Sequence, residues 1–237
     1  MMKITKNNEN FVTQTDWLTS YHHFSFGQHF DPTKTNFGPL RVFNDDAIAP
    51  AKGFGFHQHH DMEIVTYVLD GTLHHKDNFG NDGIINAGEV QRMSAGTGIF
   101  HSEFNHSDSE ELSLLQIWIN PDKKGLQPSW EQRKFSREQR LNKMLCVVSP
   151  SQSDSSLLIH QDVSFYVSRI DDSSVSYEFA KDRIGYLFVI SGSPTLNDAK
   201  LDAKDSAEIY GERKILISSS TPSEIILLDL DAKSESD

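Results

Sequence analysis

Hydrophobic and polar positions alternate with period two along most of the chain, in short runs that end at turn residues. Runs over 63–69 (EIVTYVL), 72–75 (TLHH), 83–86 (GIIN), 89–93 (EVQRM), 98–104 (GIFHSEF) and 112–119 (LSLLQIWI) predict strands. The DG, DNFGND, NAG and SAGTG segments between them carry hairpin chemistry, because Gly, Asn and Asp tolerate the backbone angles of tight turns. Short strands at this spacing predict a sandwich or a jelly roll. The polar stretch 123–143, KKGLQPSWEQRKFSREQRLNK, breaks the pattern and reads as a solvated linker. Within it Ser136 stands as an N-cap before apolar residues at helical spacing, which predicts the best helix of the chain.

A second series of strands follows: SLLIH, VSFYVSRI, SVSYEF, YLFVISG, AEIY, KILISS and EIILLDL. YVLDGTL (67–73) recurs as FVISGSP (188–194), a strand and then a glycine turn, at an offset of 121. The pattern predicts an all-β protein of two related domains, 1–125 and 146–237, joined by a linker with a short helix over 126–145.

Composition narrows the partners. A net charge of −12 over 237 residues, without a basic patch, argues against nucleic acid, whose binding draws on Lys and Arg. No run approaches the roughly 18 apolar residues of a membrane span. The first residues, MMKITKNNENFVTQTDW, lack the apolar stretch of a secretory signal. The single cysteine, Cys146, cannot form an internal disulfide and sits in MLCVV as a small buried hydrophobe. A cytoplasmic protein is the expectation.

The candidate chemistry lies in FGFHQHHDMEIV, residues 54–65. On a strand, His57 and His59 project to one face, while Gln58 and His60 project to the other together with Phe54 and Phe56. His101 and Glu103 repeat the arrangement in GIFHSEFN. If the two strands lie side by side, three imidazoles and one carboxylate converge, a set that suits Fe(II), Zn, Mn, Ni, Cu or Co. An isolated H-x-H among 11 histidines is ordinarily two polar side chains on a sheet; the second same-face pair is what points to metal. His22, His23, His29, His74, His75, His106 and His160 have no partner at ligand spacing and are expected at the surface or beside a substrate. The offset of 121 sets Glu178, Ala180 and Ile184 where His57, His59 and Glu63 stand, so the second domain is expected to have lost the site.

The segment GFGFHQHHDMEIVTYVLDGTLHHKDNFGN, followed by AGEVQRMSAGTGIFHSE, resembles the signature of the pirin family, bicupins within the cupin superfamily. WLTSYHHFSFGQHFDP, FGPLRVFNDD, QIWIN, PSWEQRKFS and LCVVSP extend the likeness. The cupin ending Gly98-x-x-His101-x-x-x-Asn105 is kept without its usual preceding proline, and the pirin H-P-H is here His57-Gln58-His59. Gln58 faces away, so strand stiffness changes and no ligand is lost. The resemblance implies two tandem cupin jelly-roll domains. It makes His57, His59, His101 and Glu103 the ligands of one divalent ion, usually Fe(2+), with Glu63 behind them orienting an imidazole. Likeness to bacterial members described as quercetin 2,3-dioxygenases implies opening of a flavonol by O2 with release of CO, Glu103 taking the 3-hydroxyl proton. Two other readings stand: a regulatory pirin whose metal tunes binding to a protein partner, and a structural zinc clasp in which four ligands leave no open position.

Overall fold

The computed structural model describes residues 1–151 and 155–233, nearly all of them in strands and turns. The chain divides into two compact units. The first comprises residues 11–134 and 159–161. The second comprises residues 1–10, 135–158 and 162–237. This partition differs from the expected one at both seams. Strand β1 (Met2–Thr5) is an edge strand of the second unit, and the segment expected as linker contributes an edge strand to the first.

Strands of the first unit are β2 (Phe11–Gln14), β3 (Leu18–His22), β4 (Leu40–Ile48), β5 (Gly53–His59), β6 (Glu63–Asp70) and β7 (Thr72–Asp77). They continue with β8 (Asp82–Asn86), β9 (Glu89–Ser94), β10 (Ile99–Asn105), β11 (Leu112–Ile119) and β12 (Ser129–Lys134). Two sheets result, ordered β12-β9-β6-β11-β4-β3-β2 and β5-β10-β7-β8. Strands β7 and β8 bury alternate residues while the central strands β6 and β9 are buried on both faces, and Ile48, Val68, Leu73, Ile85, Leu112 and Leu114 form one of the resulting apolar cores.

The second unit contains the single turn of helix α1 (Arg137–Arg140) and strands β13 (Leu145–Ser149), β14 (Leu157–Leu158), β15 (Val163–Ile170), β16 (Ser173–Glu178) and β17 (Arg183–Ser191). It is completed by β18 (Thr195–Leu196), β19 (Ala199–Lys200), β20 (Ser206–Tyr210), β21 (Lys214–Ser219) and β22 (Ser223–Asp231). Its sheets, β1-β20-β17-β22-β15-β13-β14 and β16-β21-β18-β19, repeat the strand order of the first unit. Strand β1 therefore holds the place beside β20 that β12 holds beside β9. Among the described residues no helix is long and apolar enough to cross a membrane.

The helix begins as expected. Ser136 Oγ accepts from the Gln139 amide at 3.3 Å and the Ser136 amide donates to Gln139 Oε1 at 2.7 Å, a complete capping box. It stops after one turn, where Leu141 becomes extended (φ −72°, ψ 120°) and Asn142, left-handed at φ 51°, donates its amide to the Arg169 carbonyl at 2.7 Å, which turns the chain toward β15.

The repeated glycine has the same task in both units. Gly71 (φ +79°) and Gly192 (φ +83°) turn the chain against the start of β11 and of β22. A Cβ on Gly71 would stand 2.8 Å from the Glu111 carbonyl oxygen, and one on Gly192 would stand 2.7 Å from that of Pro222. Both the conformation and the close backbone approach exclude a side chain. Gly192→Ala is expected to lower stability by about 1–3 kcal/mol in urea unfolding. An unchanged midpoint would show that the turn relaxes without strain.

Candidate metal centre

Antiparallel pairing of β10 with β5 sets His101 directly opposite His57. The ligand nitrogens of His57, His59 and His101 all lie within 4.8 Å of one another. His60 turns outward, its Nδ1 3.0 Å from the Asp61 carboxylate. Glu103 falls outside that mutual set. Its carboxylate groups instead with His101 and with His75, a buried histidine of β7, again within 4.8 Å. Glu103 nonetheless lines the same cavity as His57 and His59.

The Glu103 carboxylate is held by neutral donors from the other sheet. Oε1 accepts from Gln91 Nε2 at 2.5 Å and from Thr66 Oγ1 at 3.4 Å, and Oε2 accepts from Gln116 Nε2 at 2.8 Å. These three residues were missed by sequence reasoning. Their signal is a polar side chain in the middle of a buried apolar strand, Thr66 in EIVTYVL and Gln116 in LSLLQIWI, where burial without a partner would be costly.

Three expectations are corrected. Phe54 was assigned to the outer face; it lines the cavity and meets the Trp17 ring edge-on at 5.1 Å. The cause is a bulge. Glu103 pairs with Phe54 and His101 with His57, so two residues of β5 lie opposite one of β10 and the side-chain parity reverses between Phe54 and His57. Phe56 stays outside, 62% exposed.

Glu63 was expected behind a ligating imidazole. Strand β5 ends at His59 and the chain turns at Asp61 (φ 45°) before β6 begins in the other sheet, so the parity linking His59 to Glu63 is lost. The Glu63 carboxylate accepts instead from Ser94 Oγ at 3.0 Å and from the His160 amide at 3.2 Å.

The internal register also slips. Leu196 lies opposite Ile217 as His75 lies opposite Glu103, and Tyr177 lies opposite Ile215 as His57 lies opposite His101. The counterpart of His57 is therefore Tyr177, not Glu178, because β16 lacks the extra residue of the β5 bulge. Tyr177 donates to Asp229 at 2.5 Å, and Ile215, Ile217 and Leu196 are fully buried where the first unit has His101, Glu103 and His75.

The electrostatics suit a cation. Burial, and then the neighbouring imidazoles, push His59 and His101 down to about 3, so both rings are neutral at physiological pH. His57 Nδ1 donates to the Gly55 carbonyl at 2.8 Å, which leaves its Nε2 lone pair facing His101 Nε2 at 3.1 Å. With a proton on His101 Nε2 this contact is a hydrogen bond; with that proton on Nδ1 instead, two lone pairs face one another and repel unless a positive charge lies between them. Adjacent nitrogens at bonds of about 2.1 Å to one ion are about 3 Å apart. The residues present therefore fit a bound metal.

Beyond the imidazoles opens a cavity of about 620 Å³. An unbroken run of aromatic contacts lines it: His59 on Trp118 at 4.8 Å, Trp118 on Phe26 at 5.4 Å, Phe26 on His22 at 5.3 Å, and Phe11 stacked on His29 at 4.1 Å. The lining also carries polar groups. His22 bridges Asn44 Oδ1 at 3.0 Å and Thr13 Oγ1 at 2.8 Å, and Asp46 is buried beside Ser20. Burial, opposed by the Ser20 hydrogen bond and reinforced by Asp45 and Glu103, pushes the Asp46 carboxyl up to about 7.

Comparison with known proteins accords with this geometry. Residues 5–119 match the Pirin family model, and residues 146–230 match that of the quercetinase C-terminal cupin domain. A protein of Escherichia coli (strain K12) named quercetin 2,3-dioxygenase is 44% identical over 97% of this chain and 99% of its own. The chain belongs to the pirin family. The crystal structure of YhhW from Escherichia coli superposes with a TM-score of 0.94 at 41% identity, covering 100% of both chains. The structure of the bacterial pirin YhhW in complex with nickel(II) gives 0.92 at 42%, over 98% of this chain and 99% of that one. The pirin fold of this chain thus combines two cupin units with a histidine cluster of metal-binding character in the first.

Asp46 makes stability pH-dependent. In the metal-free protein the native state keeps the Asp46 proton up to about pH 7, while an unfolded aspartate releases it near its ordinary value of 3.8. The native state binds more protons between those values, so stability falls as pH rises through that window. Asp46→Asn is expected to be more stable than wild type above pH 7 by up to a few kcal/mol. The advantage vanishes near pH 4, as read by urea unfolding of chelator-treated protein, and a pH-independent difference would refute the assignment.

Proposed function

We propose that this protein is a metal-dependent dioxygenase of the cytoplasm that opens the heterocyclic ring of a flavonol such as quercetin with O2 and releases CO. The observation that carries the reading is the continuity of the three-imidazole cluster with an aromatic-walled cavity that also contains the Glu103 carboxylate. The relatives named quercetin 2,3-dioxygenase support it. His57, His59, His101 and Glu103 would hold the ion, with Fe(2+) as the proposed occupant. When bound, the ion supplies Lewis acidity toward an ionised hydroxyl and access to the chemistry of dioxygen.

The chain's own residues prepare the substrate. The cavity volume of about 620 Å³ lies within the usual range for small-molecule sites. Phe26 and Trp118 offer faces and edges to a planar polyphenol, while Asn44, Asp46 and Ser20 offer partners to its outer hydroxyls. Glu103 takes the 3-hydroxyl proton. Its carboxylate is aimed by two amide donors, so the acceptor is positioned before substrate arrives. Water is kept from the reacting end because Glu103 and His101 are themselves almost fully buried.

A second reading, a metal-dependent protein-binding pirin without turnover, draws on a different observation. Phe56, Phe100 and Phe104 of β5 and β10 are exposed beside the inward-facing histidines, at 62%, 45% and 38%. Exposed aromatic clusters of this kind mark interaction surfaces.

About one metal per full-length chain is expected, lost in the His57→Ala, His101→Ala double variant. Stoichiometry near two, or metal retained in that variant, would place a site in the second unit, whose equivalent positions are Tyr177, Ile215 and Ile217. Glu103→Gln is expected to retain metal through the imidazoles and to lose about 10²- to 10⁴-fold in quercetin turnover, followed by CO release. Equal turnover at equal metal content would remove Glu103 from the reaction. No turnover by metal-loaded wild type on several flavonols would favour the protein-binding reading.

A further inference from the structure

Strand β7 lies on the side of β10 away from β5, and its inward-facing residues include His75 and Asp77, opposite Glu103 and His101. Both side chains are fully removed from solvent. His75 Nδ1 lies 3.5 Å from His101 Nδ1, and His75 Nε2, which has no hydrogen-bond partner among the described residues, faces Asp77 Oδ2 just beyond hydrogen-bond distance at 3.6 Å. The ring cannot swing away, because it stacks on Trp130 with centroids 5.2 Å apart and planes at 12°. Trp130 is itself fixed by donating Nε1–H to Gln91 Oε1 at 2.8 Å. Asp77 is anchored by the Phe79 and Asn81 amides at 2.9 and 3.0 Å and by Asn81 Nδ2 at 2.7 Å.

We infer that His75 and Asp77 are positioning residues that set the tautomer and ring orientation of His101, presenting its Nε2 lone pair to the metal. The carboxylate decides the polarity of the chain. Asp77 only accepts, so His75 directs Nε2–H toward it and is left with a lone pair on Nδ1. That lone pair faces His101 Nδ1, which must then carry the proton, and His101 Nε2 remains free toward His57. The opposite order would set the lone pair of His75 Nε2 against the Asp77 carboxylate inside a site without water to relieve it. Groups aligned behind a ligating imidazole in this way raise its basicity and hold the ring in place.

The inference rests on His101 being a ligand, and the test separates the two. Full-length protein, stripped and titrated with Co(II) against a competing chelator, reads affinity and the visible ligand-field spectrum together. Metal-free melting curves report whether each variant folds. His75→Leu is expected to weaken Co(II) binding about 10- to 100-fold and to shift the absorption bands. His75→Asn, whose amide oxygen can replace Nδ1 as acceptor, recovers most of both. Asp77→Asn, which keeps shape and removes charge, weakens binding several-fold and tests the inference should His75→Leu fail to fold. Wild-type affinity and spectrum in His75→Leu, or in Asp77→Asn, would overturn it. A loss in His75→Leu as complete as in His101→Ala would also overturn it, by making His75 a ligand. Equal Co(II) binding by wild type and His101→Ala would instead refute the ligand reading itself.

Discussion

The central strand β10 imposes the constraint on which the site depends. Its antiparallel partners on either side, β5 and β7, bring His57 opposite His101 and His75 opposite Glu103. Backbone hydrogen bonds of a sheet fix which residues meet, and a shift of one residue would send every side chain to the other face. The bulge in β5 makes a controlled exception. It turns Phe54 into the cavity while leaving His57 and His59 aimed at His101, so one local irregularity supplies both a histidine pair and an apolar wall.

Polar groups in this unit are buried in connected sets. Glu103 is met by Gln91, Gln116 and Thr66, and Gln91 is in turn met by Trp130, which covers His75. Each link answers the cost of removing a polar atom from water. Asp46 has no cationic partner among its influences and answers the same cost differently, by retaining its proton toward neutral pH.

The second unit shows the same scaffold without that burden. Leu196, Ile215 and Ile217 occupy the places of His75, His101 and Glu103 in an apolar core with Leu187, Val189 and Leu227. Each such side chain, fully buried, contributes about 1.5–3 kcal/mol of transfer free energy without any demand for a partner. The duplicated fold therefore separates two tasks, one core packed for stability and one that spends stability on a buried polar site.

Much of this was legible in the chain itself. Period-two alternation and turn glycines determined the strands, with LSLLQIWI reproduced residue for residue as β11 and KILISS as β21, because a half-buried strand needs its apolar side chains on one face. The two same-face pairs, His57 with His59 and His101 with Glu103, were visible for the same reason. Only the tertiary structure decided which strands became neighbours. No local signal showed that β7 would bring His75 and Asp77 behind His101, that Asp61 would send Glu63 into the other sheet, or that β1 would join the second unit. Periodicity reports which face a side chain takes relative to its own backbone. The partner across that face is set by hydrogen bonds between distant segments, and a single extra residue, as in β5, changes the answer without changing the composition.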